Sequence, residues 1–226
     1  MKTDVILLPG LHGSTTLFEG FVALAPPWAR CRPVALPTDC LQTFDALADA
    51  LEPKLRTLEP FVLFAESFSA PIAARLSQRL APKVALLVLS SPLIEAPFPM
   101  ASSIGASFIQ SRWIPSWAVA AVMTGGDRRL AAALLREARN LPHDLLAARL
   151  STVATASRDD LLAYLQAPVL GIGGTSDRLL SPGLTENLMK DVPFGIYAEV
   201  SAPHLAAQVA PARVWAAISE EFESAA

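Results

Sequence analysis

A chain of 226 residues has room for one substantial core, and a hydrophobic share of 52% against 17% charged residues excludes a disordered chain. The formal net charge of −3, with no lysine or arginine run, argues against nucleic acid or an anionic membrane as partner. No stretch reaches the roughly 20 apolar residues of a membrane span, and Val5 to Leu8 is too short for a signal segment, so the expectation is a soluble, cytoplasmic protein without stable membrane insertion.

Six apolar runs read as buried parallel strands: Val5 to Leu8, Arg32 to Leu36, Phe61 to Ala65, Val84 to Leu89, Val169 to Ile172 and Ile196 to Val200. Between the second and third, Thr43 to Leu58 has helical period, with Phe44, Leu47, Leu51, Leu55 and Leu58 on one face and Thr43 as N-cap. Pro53 within it predicts a kink or a split. Ser69 to Leu80 and Leu205 to Phe222 read as further helices. Strand and helix alternate, which predicts an α/β fold with a doubly wound, mostly parallel six-stranded sheet in a single domain.

Residues 92–166 break that rhythm. The interval has no good strand, and prolines punctuate it at Pro92, Pro97, Pro99, Pro115 and Pro142. Arg128 to Arg139 and Asp144 to Ser157 are of helical character. The expectation is a helical cap insertion over one edge of the sheet. Its Phe108, Trp113, Ile114, Trp117 and Met123 either line an apolar acyl chamber or glue the cap to the sheet.

The segment Phe61 to Ala74 runs a buried strand into a helix through a tight turn with Ser67 at its apex. A serine there takes a strained backbone conformation that projects its hydroxyl from the sheet. Strand and helix approach closely, so the residues two before and two after must be small; they are Ala65 and Ser69. This is a relaxed form of G-x-S-x-G.

Asp177 lies in the loop after the fifth strand, before a helix that starts at Ser181-Pro182, at the strand end where open α/β sheets bind ligands. His204 follows the last strand. The chain order Ser67, Asp177, His204 is that of a hydroxyl nucleophile, an acid that orients, and a general base. The oxyanion requires two backbone N–H donors. One is assigned to Phe68; the other to Leu11 or, alternatively, Ser14 in the loop Pro9-Gly10-Leu11-His12-Gly13-Ser14. His12 is read as bonding nearby backbone. Cys31 and Cys40 form neither a CxxC pair nor a metal motif, and no metal or cofactor is expected.

The string Leu7-Leu8-Pro9-Gly10-Leu11-His12-Gly13-Ser14, with Leu17-Phe18 behind it, resembles the L-P-G-L-D/H-G opening of a branch of α/β-hydrolases. Phe64 to Ala73 is similar to that branch's G-E-S-F-S-G-P-I-A elbow, with Ala65 and Ser69 in place of two glycines. The resemblance implies cofactor-free hydrolysis of a small-molecule acyl ester or thioester, with Ser67, Asp177 and His204 as catalytic residues. A carboxylesterase-like serine hydrolase is the leading expectation. An acyl-thioesterase, a catalytically inactive binding protein of the same fold, and a lyase or perhydrolase remain open, as does the oligomeric state.

Overall fold

A computed structural model describes residues 2–97, 102–111, 114–165 and 168–224. In chain order the elements are β1 (Thr3–Leu8), α1 (Glu19–Ala23), β2 (Ala29–Pro33), α2 (Phe44–Arg56), β3 (Phe61–Glu66), α3 (Ala70–Arg79) and β4 (Val84–Ser90). Then come α4 (Ser102–Gln110), α5 (Ser116–Met123), α6 (Arg128–Asn140), α7 (His143–Val153) and α8 (Arg158–Tyr164). The chain ends with β5 (Val169–Gly174), α9 (Pro182–Asp191), β6 (Gly195–Val200), α10 (Ala206–Val209) and α11 (Pro211–Ser224).

The six strands form one sheet in the order β2-β1-β3-β4-β5-β6, every neighbouring pair parallel. The order reverses between β1 and β3, so the crevice outside their carboxyl ends is the switch point where such sheets take ligands. Strand alternation sends Ile6, Leu8, Leu63 and Ala65 to one face, against α2, α3, α8 and α9. Val5, Leu7, Val62 and Phe64 go to the other, where Trp215 of α11 stacks on Phe21 of α1 at 4.4 Å and donates Nε1–H to the Phe21 carbonyl at 2.8 Å. Both faces are covered, which is why the strands read as continuous apolar runs.

Several boundaries differ from the sequence expectation. The second strand spans Ala29–Pro33, three residues earlier than expected. It is an edge strand, and exposed Arg30 and Arg32 pair with the buried carboxylate of Asp4 on β1. Charge on an edge hides it from an apolar-run search while protecting it from strand addition. Thr43 caps α2 as expected, its Oγ1 accepting from Ala46 N at 3.2 Å, but Pro53 does not split the helix. Pro53 sits in the last turns, where little helix remains to interrupt. The last helix is two, α10 and α11, parted at Ala210–Pro211 because proline has no N–H to continue α10 and a fixed φ suited to opening α11. Asp144 to Ser157 is likewise not one helix: α7 ends at Val153 and Ser157 caps α8, accepting from Asp160 N at 3.2 Å.

The helices between β4 and β5 do not all lie over the rim. Side chains of α4 to α7 wall a cavity above the carboxyl ends of the strands. The last of them, α8, joins the sheet layer: Leu161 enters the core and Asp160 receives a two-pronged bond from Arg75 of α3 at 2.9 and 3.0 Å. No helix among the described residues is long and apolar enough to cross a membrane.

Candidate active site

Ser67 sits where β3 turns into a short 3₁₀ turn ahead of α3, with φ at +50°. That left-handed backbone costs a non-glycine residue about 1–3 kcal/mol and persists only where surroundings enforce it. The enforcement is visible on both sides. Leu93 N donates to the Ser67 carbonyl at 3.1 Å, and the buried Ser69 hydroxyl donates to the Pro9 carbonyl at the end of the β1 loop. Ser69 therefore does something the glycine of the usual elbow cannot, tying the serine turn to the loop opposite.

Asp177 and His204 meet because their loops are laced together. Thr175 N bonds the Val200 carbonyl at 2.9 Å and Ser176 N the Ala202 carbonyl at 3.0 Å. The chain before His204 crosses directly over the end of β5. A Cβ on Gly174 would stand 2.6 Å from the carbonyl oxygens of both Ala202 and Pro203, so only glycine fits. His204, 1% exposed, thereby reaches Ser67 Oγ with Nε2 at 3.0 Å while Nδ1 lies 2.8 Å from Asp177 Oδ2.

Burial alone would raise the Asp177 carboxyl. The His204 hydrogen bond and charge, with the N–H groups of Leu180 and Leu179 on Oδ1 at 2.9 and 2.8 Å, outweigh it and hold the acid below its ordinary value. Asp177 is then an ionised acceptor, so Nδ1 of His204 carries the proton and Nε2 is free to accept from the Ser67 hydroxyl.

Next to Ser67, the Leu11 N–H has no hydrogen-bond partner among the described residues. The Ser14 N–H does: it donates to His12 Nδ1 at 3.1 Å. Phe68 N–H opens the turn into α3. Of the two N–H groups considered in the β1 loop, that of Leu11 is thus the one left without a protein acceptor among the described residues.

Above them is a cavity of about 350 Å³, almost entirely apolar. Phe108, Ile114 and Met123 line it, as do Leu134, Leu146 and Leu150. Trp117 is not among the lining residues and is 61% exposed. On α5 it points away from the face that carries Val119 and Met123, the pair one helical turn apart that does face the cavity. Trp113 lies outside the described residues. The wall is chiefly aliphatic rather than aromatic.

The sequence matches no family model and no curated protein. The structure is similar to solved structures across nearly its whole length. An esterase from Exiguobacterium antarcticum aligns with a TM-score of 0.83 at 11% identity, covering 98% of this chain and 92% of that one. An enol-lactonase from Burkholderia xenovorans LB400 aligns at 0.79 and 14%, covering 99% and 92%. A thermophilic esterase from Thermogutta terrifontis aligns at 0.77 and 18%, covering 100% and 91%. The chain has the α/β-hydrolase fold.

Within this α/β-hydrolase fold two buried polar side chains, Arg149 and Glu66, stand outside the sequence expectations, while a third, His12, bonds the nearby Ser14 backbone as expected but is buried. Arg149 of α7 is wholly buried, and no carboxylate pairs with it among the described residues. It donates to the Leu11 carbonyl and to Gln42 Oε1, each at 2.9 Å, and reaches the Pro37 carbonyl at 3.4 Å. Burial brings its guanidinium down to about 10, still charged at neutral pH. Glu66, beside the serine, is 1% exposed; Oε2 accepts from Gln208 Nε2 at 2.7 Å and Oε1 has no partner. Burial pushes this acid up, with the Gln208 bond and the nearby His204 only partly opposing. His12 is 6% exposed, its Nε2 also unpartnered, and burial drives the imidazole down to about 4. Glu66 and His12 sit in motifs whose spacing was legible, but no local pattern marks them as buried. For Arg149 the one hint was an arginine between Leu146, Leu150 and Val153 on a face that otherwise reads as apolar. The two cysteines are free; burial pushes the Cys31 thiol up to about 11, away from nucleophilic use.

Proposed function

We propose that the protein is a serine hydrolase that cleaves the carboxylic ester of an apolar acyl group through an acyl-enzyme, with helices α4 to α7 supplying a cap over the reacting carbonyl. One observation carries the reading: a single imidazole lies 3.0 Å from a serine hydroxyl on a left-handed elbow and 2.8 Å from a buried carboxylate. A protein retained for binding alone has no use for that strain or that alignment.

In the proposed reaction the Ser67 oxygen attacks the acyl carbon as its proton passes to His204 Nε2. The resulting oxyanion takes hydrogen bonds from Leu11 and Phe68 N–H, each donor worth about 2.7–4 kcal/mol in the transition state. Asp177 holds the tautomer and stabilises the imidazolium without taking the proton. His204 then protonates the departing alkoxide, and water repeats the sequence to release the acid. The cavity, lined by Phe108, Ile114 and Met123 among others, receives the acyl chain; among the described residues no lysine or arginine lines it to receive a carboxylate. Esterase and enol-lactonase, the activities named for structural neighbours at low identity, are both ester cleavages, which supports the same reading.

Purified protein turning over p-nitrophenyl butyrate, with Ser67→Ala reduced by about 10⁶-fold, is the expected result. Comparable turnover by the folded Ser67→Ala variant contradicts the assignment.

A further inference from the structure

Ser67 and His204 stand 137 residues apart in the chain, and the 3.0 Å between Oγ and Nε2 requires the elbow and the segment after β6 to be held against each other. The bonds that lace Thr175 and Ser176 to Val200 and Ala202 fix His204 relative to Asp177, but neither reaches the elbow. A bond that does is carried by two residues flanking the reacting pair. Glu66 directly precedes Ser67 as the last residue of β3, in register with Ser90 of β4, and is 1% exposed. Gln208 follows His204 by four residues, in α10, where Gln208 N and Val209 N donate to the Leu205 carbonyl at 3.2 and 3.0 Å. Gln208 Nε2 donates to Glu66 Oε2 at 2.7 Å. Among the described residues this is the one side-chain hydrogen bond, besides that between Ser67 and His204, joining residues 66–69 to residues 201–210. The buried carboxyl gives the bond its force, because a broken bond leaves an acceptor that water does not reach. Both partners are anchored through their backbones, Glu66 by the sheet and Gln208 by the turns of α10. Ser67, Glu66, Gln208 and His204 thus close a ring in which the length of one hydrogen bond constrains the other.

We propose that Gln208 and Glu66 are positioning residues that form a latch setting the distance between the Ser67 hydroxyl and the His204 imidazole. This rests on the hydrolase reading above and adds a part to its machinery. Asp177 fixes the tautomer and the tilt of the ring; the latch fixes how far the ring stands from the nucleophile. Proton transfer from serine to imidazole needs the two within about 2.6–3.2 Å, and a displacement of about 1 Å costs on the order of 100-fold in rate. The latch acts through Ser67 and His204 alone, so its loss lowers the rate of serine attack on any acyl group and leaves substrate affinity as it was.

The test breaks the latch and then rebuilds it in reverse. The rate of fluorophosphonate labelling at Ser67, kcat and KM on p-nitrophenyl butyrate, and Tm are measured for the parent, Gln208→Leu, Gln208→Glu and the double variant Glu66→Gln/Gln208→Glu. Gln208→Leu keeps most of the side-chain volume and removes the donor. Its labelling rate and kcat should fall about 10-fold, with KM within about 2-fold of the parent. Gln208→Glu sets two carboxyls face to face: with one protonated they share a hydrogen bond, and with both ionised they repel. Its labelling rate relative to the parent should therefore fall as pH rises from 5 to 8, a dependence that loss of packing alone does not produce. The double variant restores an amide donor against a carboxylate with the roles exchanged, and should recover most of the labelling rate and kcat across that range. Parental labelling and kcat in Gln208→Leu overturn the proposal. So does a double variant with the parental Tm that recovers nothing. Should Gln208→Leu not fold, a pH-independent ratio in Gln208→Glu overturns it instead. Absence of turnover and of labelling in the parent removes the hydrolase reading and the latch with it, whereas a parent that labels and an indifferent latch remove the latch alone.

Discussion

Arg149→Met removes the cation that ties the helices between β4 and β5 to the loop carrying Leu11. Methionine is unbranched and flexible enough to occupy the space without a large void. The loss is of hydrogen bonds: two at 2.9 Å, to the Leu11 carbonyl and Gln42 Oε1, and a longer one to the Pro37 carbonyl. Bonds from a charged donor are worth about 1.5–3 kcal/mol each. Against that stands relief from burying a cation without a counter-charge, which costs several kcal/mol. The net expectation is a destabilisation of about 2–3 kcal/mol, or about 5–10 °C in Tm for a chain of this size. The catalytic effect is separate. Freed of Arg149, the Leu11 peptide drifts, and its N–H loses alignment with the oxyanion. Complete loss of one such donor costs about 10²–10³ in kcat, so partial misalignment should cost about 10- to 100-fold. Because the oxyanion exists only in the transition state, kcat falls and KM barely moves. Arg149→Lys, which cannot fork to three acceptors, should lie between. The assay is p-nitrophenyl ester kinetics well below Tm, with Tm followed by circular dichroism. A lower Tm with unchanged kcat would show that Arg149 holds the fold but not the oxyanion loop, and the reasoning would fail.

Three further predictions follow from the same geometry. Gly174→Ala puts a methyl where the Ala202 and Pro203 carbonyls already stand at 2.6 Å, so the chain before His204 must shift and kcat should drop at least 10-fold, with fluorophosphonate labelling slowed in parallel; parental rates would mean the loop tolerates movement. Glu66→Gln should gain in Tm relative to the parent as pH rises from 5 to 8. Burial raises the folded-state pKa of Glu66, so its stabilising contribution is complete below the unfolded value near 4.5 and is lost as pH climbs through the folded one; a pH-independent difference would contradict this. Asp177 has the opposite sign, contributing above 3.8 and losing its contribution as pH falls. Across p-nitrophenyl esters kcat/KM should rise about 4-fold per added methylene until the cavity fills, and Ala138→Phe, at the wall, should move the maximum to shorter chains; a flat profile in both proteins would deny the cavity its acyl role.

What could be read from sequence was whatever chemistry announces locally. Ser67, Asp177 and His204 each follow an apolar run at the end where parallel strands deliver ligands, and the structure brings all three together. The buried strands were legible because both faces of the sheet are covered; β2 was displaced because its edge position favours Arg30 and Arg32 over apolar residues. Arg149 was not legible, since its partners lie 107 to 138 residues away and only the folded chain shows that its charge is buried. The unpartnered edge of His12 is likewise a property of burial, not of spacing. Aromatic residues drew attention in the helices between β4 and β5, whereas the cavity wall is mostly aliphatic and includes the stripe Leu146, Leu150 and Val153. Helical period alone could have singled out that stripe.

The proposed mechanism turns on activation of the Ser67 hydroxyl by an imidazole that Asp177 steers. Mass spectrometry after reaction with a fluorophosphonate measures this directly. One adduct per chain, on the peptide containing Ser67, with its rate of formation reduced at least 100-fold in His204→Gln, is the predicted result. No adduct on Ser67, or an adduct formed at the same rate without His204, would contradict it.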